Sequence, residues 1–260
     1  MAKRIPGWIL GLGRAAMFVA VIGATTSASA QSYGTIKGRL VFGGPTVPAP
    51  KVLVAKGDAN AKDSAVCASE SIISKEMAVD PATKGIEFGV AYIVTPKGKN
   101  PEAESKLVAK SKVEIDQKGC EFVPHVSAIH KNQSLVFKSS DPVAHNVHYT
   151  AFTNGDLNQM LAPNGSYTQK FASAERRACR LVCDIHPWMI GYFFVFDHPF
   201  FAVTKADGSF EIQGVPAGTQ NVVVWHETGY VTPGLAKGVA VEVKAGETTD
   251  MGEIRLMPKK

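Results

Sequence analysis

Cys183-Asp184-Ile185-His186-Pro187-Trp188-Met189 is the stretch on which the reading of this chain turns. It has the form C-x-x-H-x-x-M. Arg180-Leu181-Val182 leads into Cys183 as a strand. Pro187 tightens the loop, and Met189 opens a second apolar strand, Gly191 to Asp197. Upstream, Asp141-Pro142-Val143-Ala144-His145-Asn146 supplies another imidazole, 38 residues before Cys183. One loop thus offers a thiol, an imidazole and a thioether, and a different strand end offers the second imidazole.

Two histidines, one cysteine and one methionine form the donor set of a mononuclear type 1 copper site. The thiolate is soft and donates strongly to copper. Imidazole suits both oxidation states. A distant, weak thioether lets neither state dictate the geometry, so little rearranges when an electron moves. His145, Cys183 and His186 are the expected equatorial ligands and Met189 the axial one. The competing set is His145, His148, Cys183 and His186 as a tetrahedral zinc site. It needs His148, which lies three residues after His145 and on a strand points to the opposite face.

The rest of the chain reads as β. Alternating runs recur at Thr35 to Phe42, Phe88 to Thr95, Lys112 to Ile115, Ser134 to Lys138, Ser209 to Ile212, Asn221 to Trp225 and Val239 to Val243. Turn clusters such as Gly43-Gly44-Pro45, Pro163-Asn164-Gly165 and Ala206-Asp207-Gly208 punctuate them. Short strands with regular turns predict sandwiches. Pro101 to Lys112 has some helical periodicity but is short and polar, leaving helix and loop both open. Pro45 to Pro50 and Lys97 to Glu104 read as linkers or inserts.

Several motifs around the loop resemble those of the cupredoxin family. Gly119 to Val136, with Phe122, Pro124 and Asn132-Gln133, is similar to its strand, F-x-P and turn. Ser139-Ser140-Asp141 through His145-Asn146 is similar to its first histidine motif. Leu161 to Phe171, with Pro163, Gly165 and Ser166-Tyr167, is similar to its L-x-P-G-x-S-Y hairpin. The ligand loop has the short spacing of amicyanin rather than that of plastocyanin. The resemblance implies a Greek-key β sandwich carrying one copper. It implies that Asn146 braces the ligand loop, and that His186 is the exposed edge by which electrons leave. Pro187 and Trp188 would then form an apolar docking rim.

A second resemblance lies in the flanks. Thr204 to Gly218 is similar to the carboxypeptidase regulatory-like motif, T-x-x-D-G-x-F-x-I-x-G-V-P-A-G. It implies a small transthyretin-like β sandwich. Gly34 to Val54 resembles the opening strands of the same domain. The expected organisation is an all-β chain with a signal peptide at 1–30 and an N-terminal β segment at 31–110. A copper domain follows at 111–197 and the regulatory-like sandwich at 198–260. The copper domain would be inserted in a discontinuous sandwich.

Lys3 and Arg4, an apolar stretch from Trp8 to Ala24, and Ala28-Ser29-Ala30 read as a cleaved export signal. The uninterrupted apolar run, Ala15 to Ala24, is too short to span a bilayer. An uncleaved anchor is the alternative; cleavage would leave no membrane span. Of the 260 residues, 45% are hydrophobic and 20% charged, a globular composition. Lys3, Arg4 and Arg14 supply three of the formal +5 charges. The remainder lacks the basic face of a nucleic-acid binder.

In an oxidising compartment such as a periplasm, Cys67 and Cys120 are expected to form a disulfide, two buried thiols being the alternative. Cys179 reads as a small buried hydrophobe. His125, His130, His198 and His226 read as core or edge residues, with a second metal site open. The H-x-H and H-C-H runs of multicopper oxidases are missing, as are G-x-S-x-G and H-E-x-x-H. The expectation is an exported electron carrier without catalysis of its own, meeting a dehydrogenase or c-type cytochrome. The alternative is a periplasmic metal-binding or adaptor module.

Overall fold

The computed structural model describes residues 1–3, 7 and 33–257. The expected export signal at 1–30 lies almost wholly outside the described residues. Within them, strands dominate and the chain is all-β, as the alternating runs predict. No helix among the described residues is long and apolar enough to cross a membrane.

Residues 112–196 build one sandwich. Its first sheet runs, in spatial order, Leu157–Leu161, His145–Tyr149, Cys179–Val182, Ile190–Phe196 and Val126–His130. The facing sheet runs Ser166–Lys170, Ser134–Ser139, Lys112–Lys118 and Glu121–Val123. Ile115, Ile129, Leu135, Phe137, Val147, Leu181 and Phe193 fill the space between. Antiparallel pairing of Cys179–Val182 with His145–Tyr149 sets Val182 opposite His148, which brings Cys183 beside the start of the His145 strand.

The second sandwich takes its strands from both ends of the chain. Tyr33–Phe42 lies between Ser209–Pro216, antiparallel to it, and Thr248–Leu256, parallel to it. The facing sheet holds Phe201–Val203, Val90–Ile93, Gly218–His226 and Gly229–Tyr230, with Val239–Val243 also on Gly218–His226. Its core is Ile36, Leu40, Ile86, Ile93, Phe210, Ile212, Val222 and Val224. The turn before Ser209 requires Gly208: its φ is +78°, and a Cβ there would strike the Leu40 carbonyl.

Two strands are buried on both faces, which explains their unbroken apolar sequences. Phe193 and Val195 face the first core, while Phe194 and Phe196 face a third cluster. Val222 and Val224 face the second core, and Val223 and Trp225 meet Phe194 and Phe196 in that third cluster. Strand alternation thus lets one aromatic layer join the two sandwiches.

One open alternative is resolved, and two elements differ from the expectation. Pro101–Val108 is a helix: the Asn100 side chain accepts the Ala103 N–H, Pro101 opens the first turn, and Glu102 and Glu104 complement its N-terminus. The strand expected over Phe88 to Thr95 contracts to Val90–Ile93, because Phe88 has a φ of +66° and breaks the extended run. Thr248–Leu256 is an additional strand whose polar sequence reflects its exposed positions.

Candidate metal centre

His145 begins its strand, Cys183 directly follows Cys179–Val182, and Met189 directly precedes Ile190–Phe196. The loop between Cys183 and Met189 is closed by its own backbone. Met189 N–H donates to the His186 carbonyl at 2.9 Å, and Cys183 N–H donates to the Met189 carbonyl at 3.3 Å. Asn146 ties this loop to the neighbouring strand. Its Oδ1 accepts the Asp184 N–H at 2.6 Å, its Nδ2 donates to Asp184 Oδ2, and its backbone N–H points at Cys183 Sγ at 3.5 Å. Gln117, from the facing sheet, donates to the Asn146 carbonyl.

The donor atoms converge. Cys183 Sγ lies 4.0 Å from His145 Nδ1 and 3.7 Å from His186 Nδ1, and the two Nδ1 atoms are 3.0 Å apart. All three residues are buried. Met189 is buried in the same apolar cluster as Cys183. The outer ring nitrogens are both engaged by carboxylates. His145 Nε2 is 2.9 Å from Asp141 Oδ2, and His186 Nε2 is 3.0 Å from Asp63 Oδ2. With an Nε2–H donated to each carboxylate, each Nδ1 would present its lone pair to a metal ion, whereas in the metal-free protein a protonated Nδ1 donates to the sulfur.

The electrostatics follow from that arrangement. Burial alone would push the Cys183 thiol up, but hydrogen bonds from His145 and His186 and the Asn146 N–H bring it down to about 6. Burial opposes a charge on His145, yet Asp141 and the Cys183 sulfur raise it to about 9. Burial likewise opposes the Asp141 carboxylate. His145 and the N–H groups of Cys120 and Gly119 outweigh it and hold Asp141 below the usual carboxylate range. A thiolate and two imidazole lone pairs this close repel one another unless a cation or proton is shared among them. The three distances define a triangle whose corners lie about 2.1 Å from a common point, matching metal–nitrogen and metal–sulfur bonds of about 2.0–2.3 Å. The donor set therefore fits one metal ion.

His148 takes no part in this cluster. Its Nδ1 is 2.9 Å from Asp184 Oδ1 at the surface, so the four-ligand zinc set is not brought together. Cys67 and Cys120 are joined by a disulfide, 53 residues apart in sequence. Cys179 is a free buried thiol, which burial pushes up to about 12. His125 meets Glu227 at 2.7 Å, His226 meets Thr228, and His198 accepts the Phe200 N–H. Among the described residues, none of His125, His130, His148, His198 and His226 joins another cluster of metal-ligating atoms.

One expectation is corrected. His186 is not an exposed edge: its relative exposure is 0%. Asp63 caps its outer nitrogen, and its ring packs 5.3 Å from that of Trp188. Pro187 is exposed and Trp188 partly buried, with Trp188 Nε1–H donating to the Cys120 carbonyl at 3.2 Å. Asp63 gave no signal in the sequence, being 123 residues from His186. Asp141 did offer one, four residues before His145 within the quoted motif.

No known family model matches the chain, and no curated protein matches it. Among solved structures, it is similar to the copper-containing nitrite reductase of Thermus scotoductus SA-01. The identity is 20% and the TM-score 0.30, over 33% of this chain and 22% of that one. It is similar to a Cu(I) methionine-to-glutamine variant of amicyanin, with 20% identity and a TM-score of 0.31, over 35% of this chain and 89% of that one. A reduced tryptophan-to-tyrosine variant of amicyanin matches with 22% identity and a TM-score of 0.31, over 41% of this chain and 98% of that one.

Proposed function

We propose that this chain is an exported mononuclear type 1 copper protein that carries single electrons. The observation that carries the reading is the convergence of Cys183 Sγ and the Nδ1 atoms of His145 and His186 within 4.0 Å, in a buried setting. Copper bound there supplies one-electron chemistry between Cu(II) and Cu(I). His145, Cys183 and His186 would hold the ion, and the Met189 thioether would be a further, weaker donor. Asn146 fixes the loop, so the donors keep one geometry in both oxidation states. Two imidazoles and a thiolate beside the buried Met189 favour copper, since thioethers are copper donors and zinc sites do not use them.

The second sandwich is the regulatory-like domain, split around the copper domain. The pairing of Tyr33–Phe42 with Ser209–Pro216 supports this. Export by the cleaved signal fits the disulfide, which persists in an oxidising compartment. Redox partners, a dehydrogenase or c-type cytochrome, dock at Pro187 and Trp188. These residues flank a cleft of about 220 Å³ that is also lined by Lys51, Lys75 and Glu121.

A second reading, a copper-holding or adaptor module, is favoured by the full burial of His186. Electron self-exchange of the copper-loaded protein separates the two. Fast exchange, with Met189→Ala retaining copper but shifting its potential, supports the carrier. Slow exchange with an unshifted potential supports the holding module.

A further inference from the structure

The segment that buries His186 lies outside both sheets of the ligand-bearing sandwich. It comprises strand Val52–Val54, the short helix Ser64–Cys67 and strand Ile72–Ile73, which pairs with the first. Val54, Cys67, Ala68 and Ile72 enter the same apolar cluster as Cys183 and Met189. The disulfide staples the segment to Cys120, whose N–H donates to Asp141 and whose carbonyl accepts from Trp188. A ring nitrogen of His186 lies within 4.8 Å of both disulfide sulfurs.

Asp63 is the informative residue. It occupies the N-cap position of Ser64–Cys67, where an aspartate ordinarily accepts a backbone N–H. It makes no such bond. Its backbone is left-handed, with φ 52° and ψ 44°, and its carboxylate reaches His186 Nε2 at 3.0 Å instead. A cap given up, at a backbone position that few side chains adopt, points to a role for the carboxylate elsewhere.

We infer that Asp63 is a positioning residue for the metal ligand His186, and that the segment around it is a disulfide-stapled cover over the outer edge of the metal centre. The inference rests on the copper reading. The carboxylate accepts a hydrogen bond from the His186 Nε2–H, fixes Nδ1 as the donor nitrogen and makes the imidazole more basic. Its charge favours the more highly charged oxidation state of an ion held beyond the ring. Small molecules and partners cannot reach His186 directly while the cover is closed.

Two substitutions test this in the intact chain. Asp63→Gly removes the carboxylate and eases the left-handed backbone, so loss of folding does not confound it. Asp63→Asn keeps an acceptor oxygen and removes the charge. Both are expected to weaken Cu(II) binding, by about 10–100-fold for glycine, and Cu(I) binding less. The reduction potential then rises, by about 59 mV for each tenfold difference between the two losses. In metal-free protein, nitrogen NMR should show a slowly exchanging His186 Nε2–H that Asp63→Gly abolishes. Unchanged Cu(II) affinity and potential in both variants would overturn the inference. So would a His186 Nε2–H that exchanges as fast in the wild type as in Asp63→Gly. A wild type that binds no copper refutes the copper reading instead, and the metal-free comparison still decides the Asp63 contact.

Discussion

The two sandwiches bury polar groups in opposite ways. In the sandwich that begins at Tyr33, each is satisfied locally or by backbone. Gln220 donates to the Pro216 carbonyl, Thr204 Oγ1 donates to the Ile86 carbonyl, and His226 meets Thr228. Its core is aliphatic and aromatic throughout. In the other sandwich, buried groups from distant parts of the chain face one another, Asp141, His145, Cys183 and His186, and the half-buried Asp63 meets them from outside its sheets. Burial of a histidine is therefore not the mark of a site. His226 and His145 are both buried, but only His145 has a second donor and a carboxylate aimed at it. The first arrangement builds a fold, and the second concentrates ionisable groups that a shared proton or a bound cation neutralises.

The largest test of this contrast is removal of the disulfide. Replacing Cys67 and Cys120 by serine opens a 53-residue closure and should cost about 4 kcal/mol of stability. Because the disulfide anchors the cover, metal affinity should fall with it. Denaturant titrations with and without copper read both effects, and an unchanged metal contribution would detach the cover from the centre.

Leu40→Ala, in the aliphatic core, should cost about 3 kcal/mol by transfer loss and cavity formation. The absorption of the loaded protein should stay unchanged. A spectral shift would show that the two sandwiches are coupled more tightly than their separate cores imply.

The smallest effect is pH-dependent. Burial lowers His226 to about 4, against an ordinary value of 6.5. Above 6.5 the residue is neutral in both folded and unfolded chains and contributes no pH dependence. Between 6.5 and 4 only the unfolded chain takes the proton, so stability falls as pH drops, by at most about 1.4 kcal/mol per unit. Below 4 the loss is complete. His198, also lowered to about 4 by burial, adds a comparable slope, so His226→Asn, which retains an acceptor near Thr228, should roughly halve the fall between pH 6.5 and 5 in chemical denaturation. An equally steep fall would place the acid sensitivity elsewhere.

The centre was legible wherever its geometry is local. Cys183 and His186 sit on one tight loop that the Met189 backbone closes, so spacing alone brings the sulfur and His186 Nδ1 within 3.7 Å. His145 follows from strand pairing, which sequence motifs around Phe122 and Pro163 anticipate. The helix at Pro101–Val108 was ambiguous because it buries none of its residues, although Asn100, Pro101 and the two glutamates carried its start signal. The cover was not legible. The approach of Asp63 to His186 depends on packing Val54, Cys67 and Ile72 against the core of the 112–196 sandwich, and no periodicity encodes it. The expectation of an exposed His186 failed for the same reason.

The most direct test of the account is the visible and paramagnetic spectrum of the protein lacking residues 1–30, titrated with Cu(II). The account predicts an intense thiolate-to-copper band that saturates at one equivalent and disappears in Cys183→Ser. Copper binding without that band, or a band that survives in Cys183→Ser, would contradict it.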